Sequence, residues 1–97
     1  MSNTVHDKIA EKLAKKFNTE YKSNKGIDVV TKNRAIEVET KPGSISQGIS
    51  QVVKSSKARY LAVNKQNIQN ALEATDGTGI GVMSQTGRII KKASRKD

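Results

Sequence analysis

The amino-acid sequence predicts an α/β domain, a mixed β-sheet flanked by helices in the order α-β-β-β-α-β-α-β-β. Three observations lead there. Val5, Ile9, Leu13 and Phe17 recur at helical spacing near the start of the chain. Two runs rich in branched residues, 27–31 and 34–40, flank Lys32-Asn33 and read as paired strands. Tyr60-Leu61-Ala62-Val63 is wholly apolar, the mark of a strand buried on both faces. Strands that meander first and alternate with helices later argue for a mixed sheet with helices packed on it.

Taken in order, residues 4–17 form the first helix, with Ala10 and Ala14 beside the apolar series and Lys8, Lys12, Lys15 and Lys16 on the other side. Thr4 with Asp7 resembles a capping box at its start. Residues 18–24 read as a weakly signalled first strand, followed by the two strands already named. Lys41-Pro42-Gly43-Ser44 is a break. A second helix is expected over 46–56, with Ile45, Ile49, Val52 and Val53 on one side, and a third over 65–75, carrying Ile68, Ala71 and Leu72. Between and after them come strands over 60–63, 80–84 and 88–92, with turns at Asp76-Gly77-Thr78-Gly79 and Thr86-Gly87. The whole of 1–97 reads as one domain, with 88–97 its basic last strand and a loose tail.

The composition narrows the function. The chain has 97 residues, 34% apolar and 3% aromatic, and no cysteine, which excludes disulfides and thiolate chemistry and suits a reducing, cytoplasmic compartment. Neither a membrane-spanning run nor an apolar signal segment is visible, so a soluble protein with no membrane partner is expected. Eighteen basic residues against nine acidic give a formal charge of +9, and a polyanion is the expected partner. Phe17, Tyr21 and Tyr60 are too few for a base-stacking platform, so contact with a DNA backbone is the better expectation.

Against this basic background the stretch 26–41 concentrates acid. If Lys32-Asn33 is a two-residue turn, Val30 faces Ala35, Val29 faces Ile36 and Asp28 faces Glu37. Side chains alternate along a strand, so Ile27, Val29, Ile36 and Val38 share one face and Asp28, Glu37 and Glu39 the other. Directly opposed carboxylates repel. A divalent cation relieves that repulsion, and hard oxygen donors favour Mg2+ or Mn2+. The plainer alternative is a solvated face whose acids pair with Lys25, Arg34 or Lys41.

An Asp28-bearing strand, a hairpin and Ile36-Glu37-Val38-Glu39-Thr40, set after a helix and before Gly48-Ile49-Ser50-Gln51 and Arg59-Tyr60-Leu61-Ala62-Val63, resemble the PD-(D/E)XK nuclease superfamily. That superfamily includes archaeal Holliday junction resolvases and many restriction endonucleases. The resemblance covers about residues 5–63, and Ile27 stands where the pattern has proline. It implies a restriction-endonuclease-like fold and a Mg2+- or Mn2+-dependent DNA endonuclease, acting as a homodimer on duplex or branched DNA. Asp28, Glu37 and Glu39 would hold the metal, with Glu39 in the position the family usually gives to lysine. A second register takes Glu39-Thr40-Lys41 as the motif and sets Asp28 opposite Glu39. In either, Lys41 would orient the attacking water or steady the developing charge. Gln51 resembles a glutamine that related nucleases place near the active site.

Other residues have weaker claims. Gln47 shares the ambiguity of Gln51, and Glu11 falls with Asp7 and Lys15 on the polar helix face, where i,i+4 pairing explains it. His6, the single histidine, borders the apolar stripe and reads as a half-buried structural residue. Asp76-Gly77-Thr78-Gly79 lacks the lysine and following helix of a phosphate loop. Two readings without catalysis stand beside the nuclease: a DNA-binding module that keeps the fold and has lost the chemistry, and a basic structural or ribonucleoprotein component.

Overall fold

A computed structural model describes residues 4–21 and 27–94. Helix α1 (Val5–Lys16) begins where Thr4, in extended conformation, accepts the Asp7 N–H on its side chain. That hydrogen bond satisfies one of the N–H groups a helix start leaves open. The helix buries Ile9, Ala10, Leu13 and Ala14 and ends before Asn18, whose φ of 58° takes the left-handed conformation that asparagine tolerates. The predicted strand over 18–24 is reduced to one antiparallel bridge, Tyr21 to Val29; its residues 22–24 lie outside the described ones.

Among the described residues five strands follow one another across a single sheet: β1 (Val29–Val30), β2 (Arg34–Glu39), β3 (Ala58–Val63), β4 (Gly81–Ser84) and β5 (Ile89–Lys91). The outer pairs are antiparallel and β2, β3 and β4 run parallel, so the sheet is mixed as expected. Parallel neighbours need a crossover. Helix α2 (Ile45–Val52) makes the first and α3 (Ile68–Ala74) the second, each entered through a 3-10 turn, Pro42–Ser44 and Lys65–Asn67.

Helix α1 covers one face of the sheet, packing on Val29, Ile36, Val38, Tyr60, Ala62 and Met83. Helices α2 and α3 cover the other, where Ile45, Val52 and Ala71 meet Ala35, Leu61, Val63 and Val82. Alternate residues of β2 and β3 thus enter two different cores, which explains the unbroken apolar run in β3. Leu13 is 1% exposed, and truncating such a side chain to alanine costs about 2–5 kcal/mol. No helix among the described residues is long and apolar enough to cross a membrane.

Three expectations need correction. Ile27 packs on the α2 side and not with Val29, because the chain bends at 27–28 and breaks the alternation. Val53, expected on the apolar side of the second helix, follows the helix end and is 44% exposed. The tail is not loose as far as Ser94: Ala93 N–H donates to the Tyr60 hydroxyl and Ser94 N–H to Gly79 O.

Candidate functional site

The β1–β2 hairpin positions the acids. Thr31 N–H bonds to Arg34 O, and the Thr31 hydroxyl accepts from the N–H groups of Asn33 and Arg34, closing the turn on Lys32-Asn33. The register is Val29 to Ile36 and Val30 to Ala35, which sets Asp28 opposite Glu37 and not opposite Glu39. Asp28 N–H donates to Glu37 Oε1 at 3.1 Å.

The face that carries Glu37 and Glu39 is covered, unlike the solvated face of the plainer alternative. It is the α2 side of the sheet, shared with Ala35. Glu39 is 9% exposed and lies against α2 at Gly48; a Cβ there would stand 2.7 Å from Glu39 Cγ and Oε2. Only glycine lets the helix approach the carboxylate so closely. Asp28, 6% exposed, turns its carboxylate into the edge of β2, where Oδ2 accepts Val38 N–H at 3.0 Å. His6, projecting from the first turn of α1, places Nε2 3.1 Å from the same oxygen.

Burial and crowding govern the electrostatics. Desolvation pushes the Glu37 carboxyl up to about 8, reinforced by the charges of Asp28 and Glu39 and opposed by the Asp28 N–H. Burial likewise raises Asp28, against the Val38 N–H and His6, and raises Glu39, against the Ser44 hydroxyl. Asp28 adds to the rise of Glu39, so the three carboxylates act on one another as a group. Of the basic partners named by the plainer alternative, Arg34 and Lys41 form no ion pair with these acids and Lys25 lies outside the described residues; among the described residues His6 is the only ion-pair partner of the three. Asp7 moves the other way, held down chiefly by the hydrogen bond from Tyr21.

A cleft of about 470 Å³, lined by Thr4, Val5, His6, Thr40, Lys41, Asn64 and Gln66 at the carboxyl ends of β2 and β3, shares His6 with this cluster, and none of the three carboxylates lines it. Ligands of open α/β sheets sit outside that end of the parallel strands. Lys41 is exposed on the cleft wall as the residue before the first 3-10 turn. Gln51 is half-buried one turn beyond Gly48 and takes part in none of the hydrogen bonds of the cluster; Gln47 and Glu11 are exposed. Among the described residues no three His, Asp or Glu side chains form a ready metal cage. The three acids nonetheless offer carboxylate oxygens, and Asp28 Oδ1 makes no hydrogen bond among those residues.

His6, Tyr21 and Gly48 belong to the site and were not singled out for it by the sequence. The available signals were slight. His6 lies three residues before buried Ile9, on the sheet-facing side of α1, and Gly48 is a glycine inside a helical pattern. Comparison of the chain with family models, with curated proteins and with solved structures returns no match.

Proposed function

We propose that the chain is a metal-dependent DNA endonuclease of restriction-endonuclease-like fold, with Asp28 and Glu37 as principal metal ligands and Glu39 beside them. One observation carries the reading: three crowded carboxylates, Asp28 and Glu39 buried and Glu37 half-buried, with no lysine or arginine paired to them among the described residues, in a chain of charge +9. A buried anionic group without a counter-ion is costly. A divalent cation supplies the missing charge, and oxygen donors suit Mg2+ or Mn2+. Magnesium commonly binds through one or two carboxylates, waters and substrate phosphate, so an incomplete protein cage fits it. Helix, Asp-bearing hairpin, helix and apolar strand follow one another as the nuclease resemblance requires, which supports the fold assignment.

Bound there, the cation would activate a water for attack on a phosphodiester and stabilise the leaving oxygen. The protein's own part is to hold the carboxylates and exclude bulk water through α1 and α2. Lys41, on the cleft wall, would meet the phosphate. Lys8, Lys12 and Lys15 line a groove along the outer side of α1 and would hold the DNA backbone. A homodimer would give each strand of a duplex its own site.

The deciding experiment incubates the protein with duplex, single-stranded and four-way-junction DNA, with Mg2+, with Mn2+ and with EDTA. Cleavage in metal alone is expected; binding without cleavage would leave the DNA-binding module. That second reading draws on Lys41, whose side chain makes no hydrogen bond to the carboxylates among the described residues.

A further inference from the structure

We infer that His6 is a positioning residue for Asp28, fixing which carboxylate oxygen is presented to a cation; the inference rests on the metal-dependent reading of the same site. The imidazole stands between two partners. Its Nε2 is 3.1 Å from Asp28 Oδ2, and its Nδ1 is 3.3 Å from the Tyr21 hydroxyl. Tyr21 in turn donates to Asp7 Oδ1 at 2.7 Å, and its ring lies 6.1 Å from the imidazole, tilted by 52°. His6 and Asp7 sit in the first turn of α1, which the Thr4 cap and the buried Ile9 and Ala10 hold in place. The chain Asp7, Tyr21, His6, Asp28 therefore ties the helix start to the hairpin.

The consequence lies in the accounting of Asp28's oxygens. Oδ2 already accepts Val38 N–H at 3.0 Å, and His6 takes a second direction on the same atom. Oδ1 makes no hydrogen bond among the described residues, so it is the oxygen left for a ligand. A carboxylate with one oxygen anchored twice cannot rotate to offer the other pair of lone pairs. Groups of this kind, one step behind a metal ligand, typically change metal affinity 10–100-fold when removed. The competing role is a mechanical one, in which His6 merely staples α1 to β1–β2.

Calorimetric titration with Mn2+ alone separates the two, using the wild type, His6→Ala, His6→Gln and Tyr21→Phe, with thermal unfolding of each in EDTA. Positioning predicts that His6→Ala weakens Mn2+ binding about 10–100-fold, that His6→Gln recovers most of it because its amide can donate to Oδ2, and that Tyr21→Phe gives a smaller loss. On DNA, kcat should fall while KM holds. Wild-type Mn2+ affinity in His6→Ala, with only the melting temperature lowered, overturns the proposal in favour of the staple. If His6→Ala does not fold, unchanged affinity in Tyr21→Phe overturns it instead. Loss of binding in both His6 variants beyond detection would make His6 a direct ligand, and the positioning role would fall. A wild type that binds no Mn2+ sinks the metal-dependent reading itself, whereas normal binding in all four proteins sinks only the role of His6.

Discussion

Replacing Glu37 with glutamine should stabilise the metal-free protein at alkaline pH and leave it little changed near pH 5. Burial, then the charges of Asp28 and Glu39, raise the Glu37 carboxyl from 4.5 to about 8. Between those values the unfolded chain binds fewer protons than the folded one at this group, so stability falls as pH rises through that window. The loss is complete above about 8 and absent below about 4.5. At about 1.36 kcal/mol per pH unit the full span would amount to ~5 kcal/mol. Glu37 is only half-buried, and water screens it, so about 2 kcal/mol is the expected share. Glutamine has no charge to bury and keeps an oxygen for the Asp28 N–H. For a chain of this length the gain corresponds to roughly 10 °C in melting temperature. The assay is thermal unfolding of both proteins in EDTA at pH 5, 7 and 9. A constant offset between them at all three pH values would refute the argument, since the benefit must grow with pH.

Four further outcomes are expected. Mg2+ or Mn2+ should raise the melting temperature of the wild type and EDTA reverse it, by about 2.7 kcal/mol at a hundredfold excess over Kd; no shift in a calorimetric scan counts against the metal. Asp28→Asn should abolish cleavage while a gel-shift assay shows DNA binding kept or tightened, because the amide still accepts Val38 N–H but one negative charge is gone. Lys8, Lys12 and Lys15 exchanged together for glutamine should flatten the log–log salt dependence of DNA affinity by roughly 2–3, and an unchanged slope would move the DNA off that groove. Gly48→Ala should cut cleavage by displacing Glu39, with stability held near neutral because alanine favours the helix by about 1 kcal/mol; unaltered kcat would show that Glu39 is dispensable.

Much of the fold was legible because it rests on local pattern. The 3.6-residue period of Ile9 and Leu13 located α1, and the branched residues around Lys32-Asn33 gave the hairpin with its register, Val29 to Ile36. What escaped depends on which layer covers which face. Alternation separates two faces and is silent on whether the second meets water or another helix, so it leaves open what covers the Glu37 and Glu39 face. The α2 core beneath it shows only when Ala35, Leu61 and Val63 are seen to pack on Ile45 and Val52. His6 and Tyr21 are fifteen residues apart, and His6 meets both Tyr21 and Asp28 through tertiary contacts that no spacing rule encodes.

The anchoring of Asp28 also bears on how this sheet ends. Had the hairpin ladder run one rung further, Val38 N–H would have paired with the Ile27 carbonyl; the Asp28 side chain takes that bond instead, and β1 stops at two residues. Long exposed sheet edges invite pairing with other chains, and short or charged edges discourage it. At this margin the strand is brief, its hydrogen bonding is closed by a carboxylate, and its outer side meets Tyr21. The opposite margin, β5, is three residues long and flanked by Arg88 and Lys92. The side chain assigned to hold a cation therefore also blunts an edge, protecting the molecule against strand-to-strand aggregation.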